Sequence, residues 1–249
     1  RAAILGEYKN NYFCDVVCGT DDYIQYTYAI TTNGILCQFN ENRCLSQTTD
    51  LRSERAYCLY ADQNSLLVGC SNGNIHIFRQ QNLEFITSLP RPHYLGVDLA
   101  HGLDMRHVFE MQQKHAEQLK YPDCIAVCLD RYSNIVTAVY NDHSMYIWDI
   151  TDLYKVKKLD SHLYHSSCCW SLDINTSYGA NSINNINNVL PNNSFITCST
   201  DNTLRIWSMH NTNSFCNANK LRSNIYSKEL LKIIYIDNDL SALCEIDQS

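Results

Sequence analysis

Apolar and polar residues alternate in short runs along this chain, and the runs come in pairs joined by tight polar turns. Val139 to Ile150 shows the pattern most clearly: a short apolar run, the turn Asn141-Asp142-His143, then Met145 and Ile147 alternating with Tyr146 and Trp148. Period-2 alternation across a turn of Asn and Asp predicts two antiparallel strands. Phe195 to Trp207 repeats the object, and in both copies an Asp precedes the Trp by six positions. Two earlier stretches share the spacing, with Asn33 six before Phe39 and Asn72 six before Phe78. These four turn residues lie 39, 70 and 59 positions apart. The shortest interval suits a four-stranded blade of about 40–45 residues, and the longer two call for insertions of about 30 and about 20 residues.

The reading is therefore all-β. About four four-stranded blades are predicted at 12–48, 55–89, 124–159 and 165–220, with partial blades at both ends. Residues 2–5 read as the end of an upstream strand. Leu230 to Ile236 reads as the first strand of a further unit (230–249) with no turn and aromatic after it. The first insertion is 93–123, within which Asp104 to Leu119 carries near-helical apolar spacing. The second, 175–193, holds eight asparagines in nineteen residues and predicts a polar loop. A small meander cannot bury both faces alone, but stacking neighbours around an axis does so, which defines a β-propeller.

Composition narrows the function. The 249 residues are 45% hydrophobic and 18% charged with a net charge of −7, the balance of a folded chain without the basic face of a general nucleic-acid binder. No run approaches the ~20 apolar residues of a membrane helix. The chain opens on Arg1 without a signal-peptide pattern, as expected of a fragment whose propeller is completed by further chain. Of the thirteen cysteines, Cys37, Cys58, Cys70, Cys124, Cys128 and Cys198 fall in strand-like runs and read as buried reduced thiols. Cys14/Cys18 and Cys124/Cys128 lack zinc-knuckle spacing. The sequons at Asn175 and Asn192 read as accidental.

Catalytic and metal chemistry find little support. There is no nucleophile elbow, His-Glu-x-x-His or phosphate loop. His93, His101, His107 and His115 gather in the first insertion beside Asp98, Asp104 and Glu110, without ligand spacing; His101/Asp104/His107 is the least poor set. No catalytic residue, cofactor or metal is assigned. A propeller hydrolase is the competing class, because the fold does not exclude one.

With the repeat in hand, the units resemble WD40 repeats. In that family a His before the first strand, a Ser or Thr on the second, the turn Asp and the Trp form a hydrogen-bonded tetrad. Carried over here, the resemblance assigns His165, Thr197, Asp201 and Trp207 in the fourth blade, with His162 as the alternative histidine. The third blade has Asp142 and Trp148 but Ala138 at the Ser/Thr position, so its network is incomplete. The first two blades lack it. A longer resemblance runs through Asn10 to Val16, Leu89 to His93, Tyr121-Pro122-Asp123, His165-Ser166-Ser167 and Ser194 to Trp207. These strings are similar to the WD40 region of the mitogen-activated protein kinase-binding protein family, which includes a spindle-pole, microcephaly-associated paralogue. It implies a non-enzymatic scaffold, cytoplasmic and at centrosomes or spindle poles. The expected partners are proteins: Jun N-terminal kinase pathway kinases or centrosomal and spindle proteins. It further implies two tandem propellers, this segment spanning parts of both, with kinase docking in a tail outside this chain. A generic WD40 adaptor is the alternative.

A docking motif within the chain would have to use Lys155, Lys157, Lys158, Leu159 and Leu163, whose spacing better suits a solvated outer strand. The family's geometry puts Arg91, His93, Tyr94, Tyr121, Asn141 and His143 on one loop face, with the first insertion above them. That face is the candidate interaction surface, against the plainer reading of a solvated rim.

Overall fold

In the computed structural model, residues 12–21, 24–62, 64–92, 103–104, 121–163, 165–174, 194–201, 203–208, 220–221, 230–236 and 239–245 are described. Four antiparallel sheets follow one another along the chain. Blade 1 is β1 (Phe13–Asp21), β2 (Ile24–Thr31), β3 (Ile35–Phe39) and β4 (Leu45–Asp50). Blade 2 is β5 (Ala56–Ala61), β6 (Ser65–Cys70), β7 (Ile75–Arg79) and β8 (Phe85–Ser88). A two-residue strand, β9 (Leu103–Asp104), precedes blade 3, which is β10 (Cys124–Asp130), β11 (Ile135–Tyr140), β12 (Met145–Asp149) and β13 (Lys155–His162). Blade 4 is β14 (Cys169–Ile174), β15 (Ser194–Ser199), β16 (Thr203–Ser208) and β17 (Lys220–Leu221). A hairpin of β18 (Leu230–Ile236) and β19 (Asp239–Glu245) follows. Among the described residues the helical element is one 3₁₀ turn, Ser71–Gly73.

The first strands β1, β5, β10 and β14 abut in succession, and β18 lies beside β14, so the sheets form a propeller arc. Side chains alternate across each pleat, and every blade therefore has an apolar face toward each neighbour. Tyr28, Ile30 and Leu36 of blade 1 pack on Leu59, Leu66, Val68 and Phe78 of blade 2. Leu67, Ile75 and Ile77 of blade 2 pack on Val136, Ala138 and Trp148 of blade 3. Ala126, Val139 and Ile147 of blade 3 pack on Leu172, Phe195 and Trp207 of blade 4. Phe78, Trp148 and Trp207 each face the preceding blade, which gives the six-residue spacing its physical meaning. A large ring there removes well over 100 Å² from water, and at ~25 cal/mol per Å² that is several kcal/mol.

Buried polar groups hold the blades in register. Between blades 1 and 2, the Tyr28 hydroxyl (3.2 Å) and Gln38 Nε2 (3.0 Å) both donate to the Gln80 carbonyl. Gln80 Nε2 donates to the carbonyls of Ser65 (3.3 Å) and Asp62. Between blades 2 and 3, Tyr60 Oη donates to the Leu129 carbonyl (3.1 Å). Gly69 lies where Cys58 and Cys124 converge: a Cβ there would come within 2.4 Å of one sulfur and 2.8 Å of the other. All six cysteines expected to be buried are buried, as is Cys169.

Three features differ from the sequence reading. Asp104, assigned to the start of a helix, pairs with Lys155 in β9, which adds a fifth strand to the outer edge of blade 3; residues 105–119 lie outside the described residues. That pairing is at the end of β13 remote from the Asn141–His143 turn, since β13 reaches that turn only at His162. Within the insertion, β9 is thus on the opposite side from the loop face, while Tyr121–Asp123 return to it. Helical spacing in a polar stretch lost here to an outer strand with ladder groups to satisfy. Finally, β18 is followed by a second strand, because Leu240, Ala242 and Cys244 continue a period-2 pattern after the turn. Residues 2–5 and the Asn-rich stretch 175–193 lie outside the described residues.

Gly69→Ala should destabilise the protein by about 1–3 kcal/mol by overpacking the thiol contact; urea unfolding monitored by circular dichroism measures this, and an unchanged midpoint would show the two sulfurs free to move apart.

Candidate functional site

The upper rim, where the turns joining second and third strands meet the segments entering the first strands, carries the polar side chains. The fourth blade holds a continuous network. The Trp207 indole N–H donates to Thr197 Oγ1 (2.9 Å), His165 Nε2 lies 2.8 Å from the same oxygen, and His165 Nδ1 lies 3.0 Å from Asp201 Oδ2. Asp201 Oδ2 also accepts the Ser166 N–H (3.1 Å), and Oδ1 accepts the Thr203 N–H (3.0 Å) and hydroxyl (2.5 Å). Burial would raise the Asp201 pKa, but the bonds from Thr203, His165 and Ser166 win and hold it at about 2. Burial lowers that of His165 against the pull of Asp201. His162, the alternative histidine, stacks on Trp207 instead (5.3 Å, 25°) and faces Asp160 at 3.3 Å. The network orients a large ring and offers no nucleophile, so its chemistry is structural.

The third blade solves the same problem differently. With Ala138 opposite Tyr146 there is no hydroxyl for Trp148. Its indole nitrogen, the Tyr140 hydroxyl and Thr137 Oγ1 are buried without a hydrogen bond of ordinary geometry. In compensation Trp148 stacks on Tyr146 (5.8 Å, 14°), which meets Tyr140 edge-on (5.7 Å, 90°) with Lys158 Nζ 6.0 Å above its ring. Asp142 caps its own turn, its Oδ1 accepting the N–H (3.1 Å) and hydroxyl (2.5 Å) of Ser144. Blade 2 holds Phe78 against Phe85 (5.7 Å) and His76 (6.3 Å), and blade 1 sets Phe39 on Phe13 (6.4 Å).

Of the six loop-face residues, the structure gathers three at the junction of blades 2 and 3. The Arg91 guanidinium lies 5.0 Å over the Tyr121 ring, and its Nε donates to Asn74 Oδ1 (3.1 Å). Tyr121 N–H donates to Asn72 Oδ1 (2.9 Å), and Asn141 Oδ1 accepts the Asp123 N–H (3.1 Å). His143 is separate: it borders a small cavity at the blade 3–4 junction with Met145, His162, His165, Cys169 and Trp207. His93 and Tyr94 lie outside the described residues. The lysines of β13 sit on the outer strand, with Lys155 and Val156 paired to β9 and Leu163 exposed.

The residue that ties this junction together was missed. Asp123 Oδ1 accepts the Asn72 N–H (2.9 Å) and Oδ2 the Tyr57 hydroxyl (2.8 Å), so one carboxylate spans two blades. Asn72 takes a left-handed conformation (φ 56°) to present that N–H. Tyr57 reaches it because β5 is bulged between Ala56 and Cys58. The same irregularity recurs near the start of every first strand, at Phe13/Asp15, Cys124/Ala126 and Cys169/Ser171. A bulge re-aims a side chain and leaves no trace in apolar periodicity. Among the described residues, no cluster of metal-ligating side chains is present and no helix is long and apolar enough to cross a membrane.

These blades and the His-Thr-Asp-Trp network define a WD-repeat β-propeller segment. No protein-family model matches the chain. It is 39% identical over 251 residues to mouse mitogen-activated protein kinase-binding protein 1, and 38% over 246 residues to mouse WD repeat-containing protein 62; each match covers 99% of this chain. The chain belongs to the family of these two proteins. It spans 16% and 15% of their lengths. Crystal structures of the computationally designed proteins Ika8 (TM-score 0.53, 13% identity, 88% of this chain and 52% of that one) and Ika4 (0.51, 14%, 80% and 92%) share the fold.

Trp207→Phe should cost about 1 kcal/mol more than Trp148→Phe, because only the former breaks an indole hydrogen bond of ordinary geometry; equal shifts in urea midpoint would refute this. The histidines give a pH signature. Burial lowers His165 and His162, and takes His76 down to about 4 with help from Arg91. The unfolded chain therefore binds more protons below ~6.5, and stability present above that value is lost as pH falls. The thermal midpoint should drop from pH 7 to pH 5, less steeply in His76→Gln; a constant or rising midpoint would contradict it.

Proposed function

We propose that this segment is a non-enzymatic WD40 scaffold that binds protein partners in mitogen-activated protein kinase signalling, acting in the cytoplasm and at centrosomes or spindle poles. The observation that carries the reading is the rim at the blade 2–3 junction. There Arg91, Tyr121, Asn72 and Asn141 are fixed by bonds to one another and to Asp123 on a scaffold with cross-linked blades. Preorganised aromatic and arginine side chains are what protein recognition uses, since little rotamer entropy is lost on binding. The name of the mitogen-activated protein kinase-binding relative supplies the partner class. The network around Trp207 is consumed in holding its blade and leaves no acid or base facing a substrate. This favours a scaffold over a propeller hydrolase.

The test is a pull-down of purified Jun N-terminal kinase by the full chain. Retention is expected, falling about tenfold or more in Arg91→Ala with Tyr94→Ala, as for hot-spot side chains. Failure of the folded chain to retain the kinase would remove it as a partner of this segment.

A further inference from the structure

We propose that the upper rim between blades 2 and 3 receives an acidic peptide segment, whose carboxylates pair with the guanidinium groups of Arg55 and Arg91. This rests on the reading of the rim as a protein-interaction surface and gives its partner a chemistry.

The two arginines bracket one turn. Arg55 is joined to it through its backbone, its carbonyl accepting the Ser71 N–H (2.9 Å) and its N–H donating to Ser71 Oγ (3.3 Å). Arg91 approaches from the end of blade 2 and bonds Asn74 at the other end of the turn (3.1 Å). The Arg55 side chain is exposed beside the Tyr57 phenol, where it offsets part of the rise in that group's pKa from burial and from Asp123. Two tyrosine rings, Tyr57 and Tyr121, thus flank two cations.

Asp123, the carboxylate built into this junction, makes no direct ion pair with either arginine. Asp123 spends Oδ1 on the Asn72 N–H and Oδ2 on the Tyr57 hydroxyl. Among the described residues the ion pairs are Arg79–Glu84, His162–Asp160 and His165–Asp201, so Arg55, Arg91 and the exposed Glu54 are in none. Arg91 is half-buried, which disfavours its charge, and its field helps keep the half-buried His76 neutral. A partly desolvated cation without a counterion gains more from an incoming carboxylate than a solvated one does. Its geometry is already set: the Asn74 bond fixes Nε, and the Tyr121 ring and hydroxyl hold the guanidinium plane at the rim. The chain as a whole carries −7, and two arginines beside Asp123 and Glu54 make two separate points of positive charge, not a basic stripe of the kind that tracks a phosphate backbone. A peptide, whose carboxylates can be spaced to two points, fits better than a nucleic acid.

The experiment uses the full chain and a fluorescein-labelled ten-residue peptide alternating Glu and Ala, read by fluorescence anisotropy. Saturable binding should weaken about tenfold in Arg91→Gln and in Arg55→Gln, with a smaller salt dependence in each. Arg91→Lys, which keeps charge without the fork, should fall between and serves if the Gln variant unfolds. Absence of binding, equal binding of a Lys/Ala peptide, tighter binding of a single-stranded oligonucleotide through the same arginines, or undiminished binding by folded variants would each overturn the proposal. Kinase retained with the acidic peptide ignored would overturn it while sparing the scaffold reading. Acidic peptide bound with no kinase retained would support it and remove the kinase as a partner of this segment.

Discussion

Each blade is a four-stranded antiparallel meander with apolar residues on both faces, and neither face can stay in water. The burial of each face against the next blade is the constraint on which everything else depends. It places Phe78, Trp148 and Trp207 toward the preceding blade. It allows Gly69 to admit two sulfurs, and it makes every polar group at an interface find a partner or go without. The burial itself is non-directional, so the polar links set the register: Gln80 between blades 1 and 2, Asp123 between blades 2 and 3.

The four blades meet this constraint with unequal means. Blade 4 orients its tryptophan by hydrogen bonds through Thr197, His165 and Asp201. Blade 3 lacks that hydroxyl and leaves three buried polar atoms without a hydrogen bond of ordinary geometry, exchanging directionality for a stack of Trp148, Tyr146 and Tyr140. Blades 1 and 2 use phenylalanine, which needs no acceptor, and place their buried polar groups between blades. The repeat is therefore one of shape more than of chemistry.

How much of this the sequence carried depends on the physics of each feature. The strand pairs and the six-residue spacing were legible because pleat and turn chemistry act on neighbouring residues. Ala138 as the gap in blade 3 was legible through the WD40 resemblance, which implies a Ser or Thr at that position. The Tyr28–Gln38–Gln80 and Tyr57–Asp123 links were not, since their members lie 42 to 66 positions apart and no local pattern marks them. The bulge that re-aims Tyr57 preserves composition and shifts only register. Asp104 misled because spacing near 3.6 arises readily in a mixed polar stretch, whereas its pairing with Lys155 is decided by an edge fifty residues away in the chain. The loop face was half legible: shared blade geometry predicted Arg91, Tyr121 and Asn141 together, but His143 turned toward the neighbouring junction.

The fifth strand of blade 3 also says something about time. β9 has two residues and pairs only with Lys155 and Val156, so it has no template until β13 has zipped onto β12. Closing a loop of about fifty residues for two ladder positions is entropically poor by itself, and it becomes favourable only on a finished edge. β9 should therefore be the last part of its sheet to dock and the first to leave. The outer edge of blade 3 would then alternate between covered and open while the sheet beneath stays intact.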